Sequence, residues 1–172
     1  MRIIPALVFA ALFGILAYAL TQTDEVTAPE ASHLVDKSLP VISLEGLGNA
    51  PEFSATSQQV QVLNIFASWC TPCIAELPEL GRLREQTTAS IIGIAWHDTP
   101  ENIKSWRTQH AAPYHAIYHD ADQQTGVKLG IRGVPETFII DKQGIVRYHH
   151  IGPIDPHTRE AILTPLIKEY SR

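Results

Sequence analysis

The only two cysteines of the chain, Cys70 and Cys73, stand two residues apart in the run Trp69-Cys70-Thr71-Pro72-Cys73. They fall where one periodicity gives way to another. Val60 to Ala67 (VQVLNIFA) is a largely apolar run of strand length, the pattern of a central strand covered on both faces. Beyond the pair, Ile74, Leu77, Leu80 and Leu83 recur at helical spacing. Pro72 sits in the first helical turn, where its missing N–H would be unpaired anyway. Pro78, inside the same pattern, deletes one backbone hydrogen bond and should kink the helix. A buried strand that hands two cysteines to a helix N-terminus restricts the chain to sheet-and-helix architectures.

The remaining segments extend that reading. Ser38 to Leu44 alternates loosely as a first short strand, and Glu45 to Gln59 is turn-rich, with room for a small hairpin. Ser90 to Ala95 (SIIGIA) is a second buried strand. Thr99-Pro100-Glu101 supplies an N-cap, an N1 proline and an early acid for a helix to about Gln109, with Ile103 and Trp106 inward. Ala116 to His119 reads as a third strand, and Gln123 to Leu129 as a short helix that Gly130 ends. Thr137 to Ile140, the turn Asp141-Lys142-Gln143-Gly144 and Ile145 to His150 make a hairpin. Pro156 to Tyr170 closes the chain as an amphipathic helix bent at Pro165. The order β-α-β-α-β-α-β-β-α predicts an α/β fold, a mixed central sheet flanked by helices on both faces.

At 172 residues, the length suits one domain plus a leader. Ile3 to Leu20 contains no charge; eighteen residues at 1.5 Å span about 27 Å, enough for a slightly thinned bilayer core. Residues 1–20 are therefore expected to form an N-terminal membrane anchor, with Arg2 on the cytoplasmic side. A cleaved signal peptide with Ala17-Tyr18-Ala19 at its cleavage site competes, and a buried core helix fits an all-round apolar terminus poorly. Residues 21–37 read as a polar linker and 38–172 as the domain. The net charge of −5 is scattered, which excludes the basic face that nucleic-acid binding needs.

A Cys-x-x-Cys at a strand-to-helix junction has a chemical logic. Cys70 sits at the helix N-terminus, where orphan N–H groups and the helix dipole stabilise a thiolate, the nucleophile of disulfide exchange. Cys73, one turn on, can resolve the mixed disulfide. Zinc would need four ligands, and neither a second cysteine pair nor a close histidine pair completes a site; His149 and His150, neighbours on a strand, should face opposite sides. A c-type haem attachment needs histidine where Ile74 stands. A structural bridge closing a two-residue loop gains little entropy. Redox chemistry is the reading left, with no metal and no cofactor beyond the cysteine pair.

Val62 to Glu76 (VLNIFASWCTPCIAE) resembles the active-site segment of the thioredoxin superfamily, and Gly133 to Thr137 (GVPET) resembles its second signature. That resemblance implies a thioredoxin-like fold and a cis peptide at Val134–Pro135 facing the cysteines. It implies further that the Val134 backbone pairs with a substrate strand and that Trp69 packs over the disulfide edge. The closer similarity is to the cytochrome c biogenesis branch, DsbE or CcmG, through Gly126 to His150, Glu76, the N-terminal anchor and the ending PLIKEYS. It implies a periplasmic reductant on the bacterial inner membrane that keeps the cysteines of apocytochrome c, or of its thiol carrier, reduced for haem attachment. Electrons would come from a transmembrane reductase of the DsbD or CcdA type. A broader thiol reductase of the TlpA or ResA kind is the alternative; a binding module presenting apocytochrome or haem without turnover is another.

One departure from ordinary thioredoxins carries information: Asn64 stands where they have a buried Asp. The proton acceptor for Cys73 must come from elsewhere. Glu76 and Glu136 are the candidates, each adjacent to the cysteines in the expected fold, and the resemblance adds Asp141 more weakly, against its role as a turn former. A carboxylate beside a thiol raises the thiol's pKa and can take its proton, which favours a reductant over an oxidant. The order Thr71-Pro72 departs from the family's common Pro-Thr.

Overall fold

The computed structural model describes residues 11–14, which are helical, and 32–172. The compact body is Ala31–Arg172. Its elements are β1 (Glu45–Gly46), β2 (Gln61–Phe66), α1 (Thr71–Gln86), β3 (Ser90–Ala95), α2 (Pro100–Gln109), β4 (Ala116–His119), α3 (Gln124–Leu129), β5 (Glu136–Ile140) and β6 (Val146–Ile151). A π-helical segment, Thr158–Leu163, then runs into α4 (Thr164–Tyr170). The sheet order is β1-β4-β3-β2-β5-β6. β2, β3 and β4 pair in parallel, while β1, β5 and β6 join antiparallel. The mixed sheet read from the alternation of elements is the sheet observed.

β2 lies at the centre, so all six of its residues are buried, and alternation along it sorts two cores. Val62 and Phe66 face a cluster holding Cys70, Cys73, Leu77, Leu80, Leu83, Ile103, Trp106, Leu163 and Ile167. Leu63 and Ile65 face Leu34, Leu39, Leu129, Phe138 and Ile140. Helices α1, α2 and α4 thus cover one face, and α3 with the N-terminal segment covers the other. Asn64, between Leu63 and Ile65, shares the cysteine face.

Several boundaries differ from expectation. The first strand is Glu45–Gly46, paired with Tyr118 and His119, not Ser38 to Leu44. The alternation in that earlier stretch is real, since Leu39, Ile42 and Leu44 pack on the second core while Val41 faces out. It lies over the sheet and touches the edge only as a bridge from Ser38 to Ile145. Pro40, which has no N–H to donate, suits a crossing better than a ladder. The compact body also starts earlier than 38. Leu34 is buried, the Asp36 N–H donates to the Val146 carbonyl at 2.8 Å, and the Asp36 carboxylate meets Arg147 at 2.9 Å. The anchor expected at 1–20 and the linker up to residue 31 lie outside the described residues, apart from 11–14. Among the described residues no helix is long and apolar enough to cross a membrane.

Helix ends follow the sequence closely. Thr99 caps α2 by accepting from the Asn102 N–H at 3.2 Å, and Gly130 ends α3 at φ +69°. α1 continues through Pro78. The expected bend at Pro165 takes another form, a widened π turn just before it. The turn carries Arg159 inward, where its guanidinium meets Glu79 at 2.7 Å and Gln86 at 2.6 Å on α1.

Candidate active site

The turn that leads into the Cys70–Cys73 pair is held by named partners. After β2, the Cys70 N–H donates to the Ala67 carbonyl at 3.1 Å, closing a turn. Asp98, in the loop after β3, accepts from the Ser68 N–H at 2.5 Å, from the Ser68 hydroxyl at 3.0 Å and from the Thr99 N–H at 2.8 Å. Cys70 is the N-cap residue of α1, extended at φ −88° and ψ 103°, and its Sγ accepts from the Cys73 N–H at 3.2 Å. A sulfur in the N-cap position receives the orphan donors that would stabilise a thiolate there. Cys70 and Cys73 form a disulfide with Cα atoms 5.3 Å apart. Cys73 is fully enclosed, whereas Trp69 is 59% exposed beside the pair, its indole N–H donating to the His97 carbonyl at 3.0 Å. Trp69 is therefore a surface aromatic at the disulfide, not a core one. His97 and Asp98 escaped the sequence reading; an acid directly before a helix cap, at the end of a buried strand, was the available signal.

Behind the cysteines runs a buried polar chain. Glu76 lies one helical turn past Cys73 and is only 1% exposed. Its Oε1 accepts from Asn64 Nδ2 at 2.9 Å and its Oε2 from the Ile154 N–H at 2.8 Å. Asn64 Nδ2 also donates to Thr137 Oγ1 at 3.0 Å, and Asn64 Oδ1 accepts from the Tyr114 hydroxyl at 2.6 Å. Burial pushes the Glu76 carboxyl up to about 7, against the opposing pull of the Ile154 N–H and the Asn64 amide. An acid with this value holds or releases a proton near neutral pH, as general acid–base work requires. Burial, with the Glu76 charge second, pushes the Tyr114 hydroxyl well above its ordinary value, so it stays a donor.

The second signature has the cis peptide expected of it, but its glutamate lies elsewhere than expected. The Val134–Pro135 peptide is cis. Among the described residues, no backbone hydrogen bond engages the N–H or carbonyl of Val134, the residue before the cis-proline. Glu136, expected beside the cysteines, lies on the opposite face. It pairs across the ladder with Ile65, and β5 alternates so that Thr137 and Ile139 share the cysteine face. Its Oε1 accepts from the Arg132 and Gly133 N–H groups at 2.8 and 3.1 Å, and its Oε2 meets His149 Nε2 at 2.8 Å. The His149 ring in turn stacks on Phe138 with centroids 4.0 Å apart. Glu136 thus braces the loop carrying Pro135 and takes no part in the cysteines' surroundings. His149 was missed as its partner; its alternation with His150, which lies opposite Thr137, was read correctly.

Asp141 is at the other end of the sheet, since β5 runs antiparallel to the strand that delivers the cysteines. It accepts from the Gln143 and Ile145 N–H groups, both at 2.9 Å, and from Arg147 at 2.8 Å. It is the turn former and not an active-site acid. Among the described residues no cluster of three His, Cys, Asp or Glu side chains is arranged to hold a metal ion.

This geometry agrees with what the chain resembles. A model of the AhpC/TSA family matches residues 34–149. The thiol:disulfide interchange protein DsbE of Allochromatium vinosum is 36% identical over 172 residues, covering 98% of this chain and 93% of that one. The protein of the same name from Escherichia coli is 34% identical over 176 residues, covering 99% and 95%. The thiol:disulfide interchange protein HelX of Rhodobacter capsulatus is 32% identical over 167 residues, covering 95% and 93%. Among solved structures, a putative DsbE from Chlorobium tepidum has the same fold, with a TM-score of 0.66 at 23% identity over 76% of this chain and 94% of that one. The sheet order, the capped cysteine pair and these likenesses define a thioredoxin-like thiol–disulfide oxidoreductase. Within that class, the chain belongs to the AhpC/TSA family and to its DsbE thiol:disulfide interchange proteins.

The position of Glu136 yields a prediction opposite to the one its sequence neighbourhood suggests. Glu136→Gln should leave the titration of the active-site thiols unchanged in the reduced protein. It should cost stability, roughly 1–3 kcal/mol for weakening a buried charged acceptor. Thiolate absorbance against pH and denaturant unfolding check the two halves; a displaced thiol titration would put Glu136 back at the cysteines.

Proposed function

We propose that this protein is a reductant of the periplasm, tethered to the bacterial inner membrane by its N-terminal segment. It would reduce the cysteines of apocytochrome c, or of the thiol carrier that serves them, for haem attachment. The observation that carries the reductive direction is Glu76, buried one turn behind Cys73 and held by Asn64. The names and high coverage of the DsbE and HelX relatives support placing the chain in this pathway.

In the proposed cycle the Cys70 thiolate attacks one sulfur of the partner's disulfide and displaces the other as a thiolate. Cys73 then gives its proton to Glu76 and attacks Cys70 Sγ, breaking the mixed disulfide. Both partner sulfurs leave reduced, protonated in part by Glu76, and the Cys70–Cys73 disulfide forms. The two electrons that reached the partner are restored by a transmembrane reductase of the DsbD or CcdA type. Trp69, Val134 and Pro135 act as the docking rim. The free main-chain groups of Val134 offer an extended partner segment one strand's worth of pairing. The redox couple is the cysteine pair itself, with no further cofactor.

A Cys73→Ser variant cannot resolve, so it should accumulate partners disulfide-linked through Cys70. Capture of apocytochrome c or one defined carrier from periplasmic extract, identified by mass spectrometry, is the expected result. Capture of many unrelated proteins would replace this reading with a general thiol reductase of the TlpA or ResA kind. No capture at all would remove both and leave the non-catalytic binding module.

A further inference from the structure

We propose that Tyr114 is a positioning residue for the thiol–disulfide reaction, fixing the direction of the Asn64 side-chain amide so that its NH2 group faces Glu76. The inference rests on the proposed role of Glu76 as the proton acceptor for Cys73 and names what readies that residue.

A side-chain amide can lie in either of two orientations, one end accepting and the other donating. Asn64 is wholly buried, so each orientation must be satisfied by protein groups alone. The Tyr114 hydroxyl donates to Oδ1 at 2.6 Å, which leaves Nδ2 pointing at Glu76 Oε1, 2.9 Å away, and at Thr137 Oγ1, 3.0 Å away. In the reversed orientation Oδ1 would face Glu76 Oε1, and two acceptors would oppose each other unless Glu76 carried a proton. The observed direction therefore suits a carboxylate, and the reversed one a carboxylic acid. A reversed amide would make the Tyr114 hydroxyl an acceptor and leave its own hydrogen without a partner among the described residues, so Tyr114 tips the choice toward the form that can receive a proton.

Tyr114 can do this because one face of its ring is packed in place. It stacks on Phe66 with centroids 5.2 Å apart and lies 6.4 Å from Trp106. Gly93 leaves the space the ring fills, since a Cβ there would come within 3.0 Å of both the Tyr114 and Phe66 rings. The preceding residue is tied to α1 by Arg84, which donates to the Pro113 carbonyl at 3.2 Å. The hydroxyl is thus aimed by a packed ring and by the helix that carries Glu76.

Few other charges compete for Glu76. Beyond Tyr114 and the two cysteines, the titratable and charged groups on neighbouring elements are His150 from β6, Asp155 and His157 after it, and Arg159. His150 shares the cysteine face and bonds the Pro153 carbonyl at 3.3 Å; Asp155 accepts from the Thr158 N–H at 2.6 Å. His157 lies next to Asp155, and Arg159 is taken up by Glu79. β2 and β5 present only Asn64 and Thr137.

The test is Tyr114→Phe, which keeps the ring and removes the hydroxyl, in the full chain. Carboxyl NMR of the reduced protein reads the Glu76 titration midpoint directly. The rate of reduction of a disulfide-bonded Cys-x-x-Cys-His peptide is followed from pH 5 to 9. The midpoint should rise by about one pH unit, the tenfold change that losing roughly one hydrogen bond's bias produces. The rate should fall several-fold at pH 7 and recover at the alkaline end, a shift that a merely loosened core would not give. An unmoved Glu76 midpoint overturns the proposal. Glu76→Gln separates it from the reading beneath it. If that variant keeps the parent's pH profile, Glu76 is not the proton acceptor, and the Glu76 midpoint in Tyr114→Phe still decides whether Tyr114 orients the amide.

Discussion

A carboxyl group enclosed behind a disulfide is the constraint on which the rest of this structure depends. Removing Glu76 from water is unfavourable for its charged form, and the chain answers with donors from separate elements. α1 carries the acid, β2 brings Asn64, and the segment after β6 brings the Ile154 N–H. Those donors only partly offset burial, so the group titrates near 7. A fully exposed glutamate in this place would be charged throughout the neutral range, and an acid without the donors would hold its proton to higher pH. In the proposed cycle, partial compensation suits the group to a thiol that must lose and regain a proton.

The two faces of the sheet divide the labour. On one face lie both cysteines, Asn64, Thr137 and Glu76, the groups of the proposed cycle. On the other, Glu136 and His149 form a buried pair that holds the Arg132–Gly133 backbone, and through it the loop bearing Pro135. Asp98 does the equivalent work for the opposite wall by gripping Ser68. Three acids flank the active loops, and only Glu76 lies on the cysteines' side of the sheet. The others are architecture.

Much of this was legible in the sequence because it rests on local rules. The strand-to-helix junction at Cys70, the Thr99 cap, the Gly130 stop and the late hairpin are each set by a few adjacent residues, and each lies where those residues place it. Glu76 was legible for a similar reason, since a residue three past Cys73 shares its helix face. Glu136 was not, because adjacency to Pro135 says nothing about which side of the sheet a side chain takes. The period of two along β5 decides that, and its phase is fixed only by pairing with β2. Tyr114 and His149 were invisible for a related reason. Tyr114 reaches Asn64 across fifty positions of sequence, and His149 reaches Glu136 across a ladder. The short run at Ser38 to Leu44 shows the converse, a true alternation that marks packing over a sheet and not membership in it.

These interactions make one physical statement about direction. A buried acid that keeps the thiol form of Cys73 within reach weakens the stabilisation of thiolate that drives strong oxidants of this fold. The equilibrium reduction potential of the Cys70–Cys73 couple, measured against a dithiothreitol or glutathione buffer at pH 7, tests that statement most directly. The account predicts a value nearer the roughly −270 mV of thioredoxin than the roughly −120 mV of DsbA. A potential at the DsbA end of that range would contradict it.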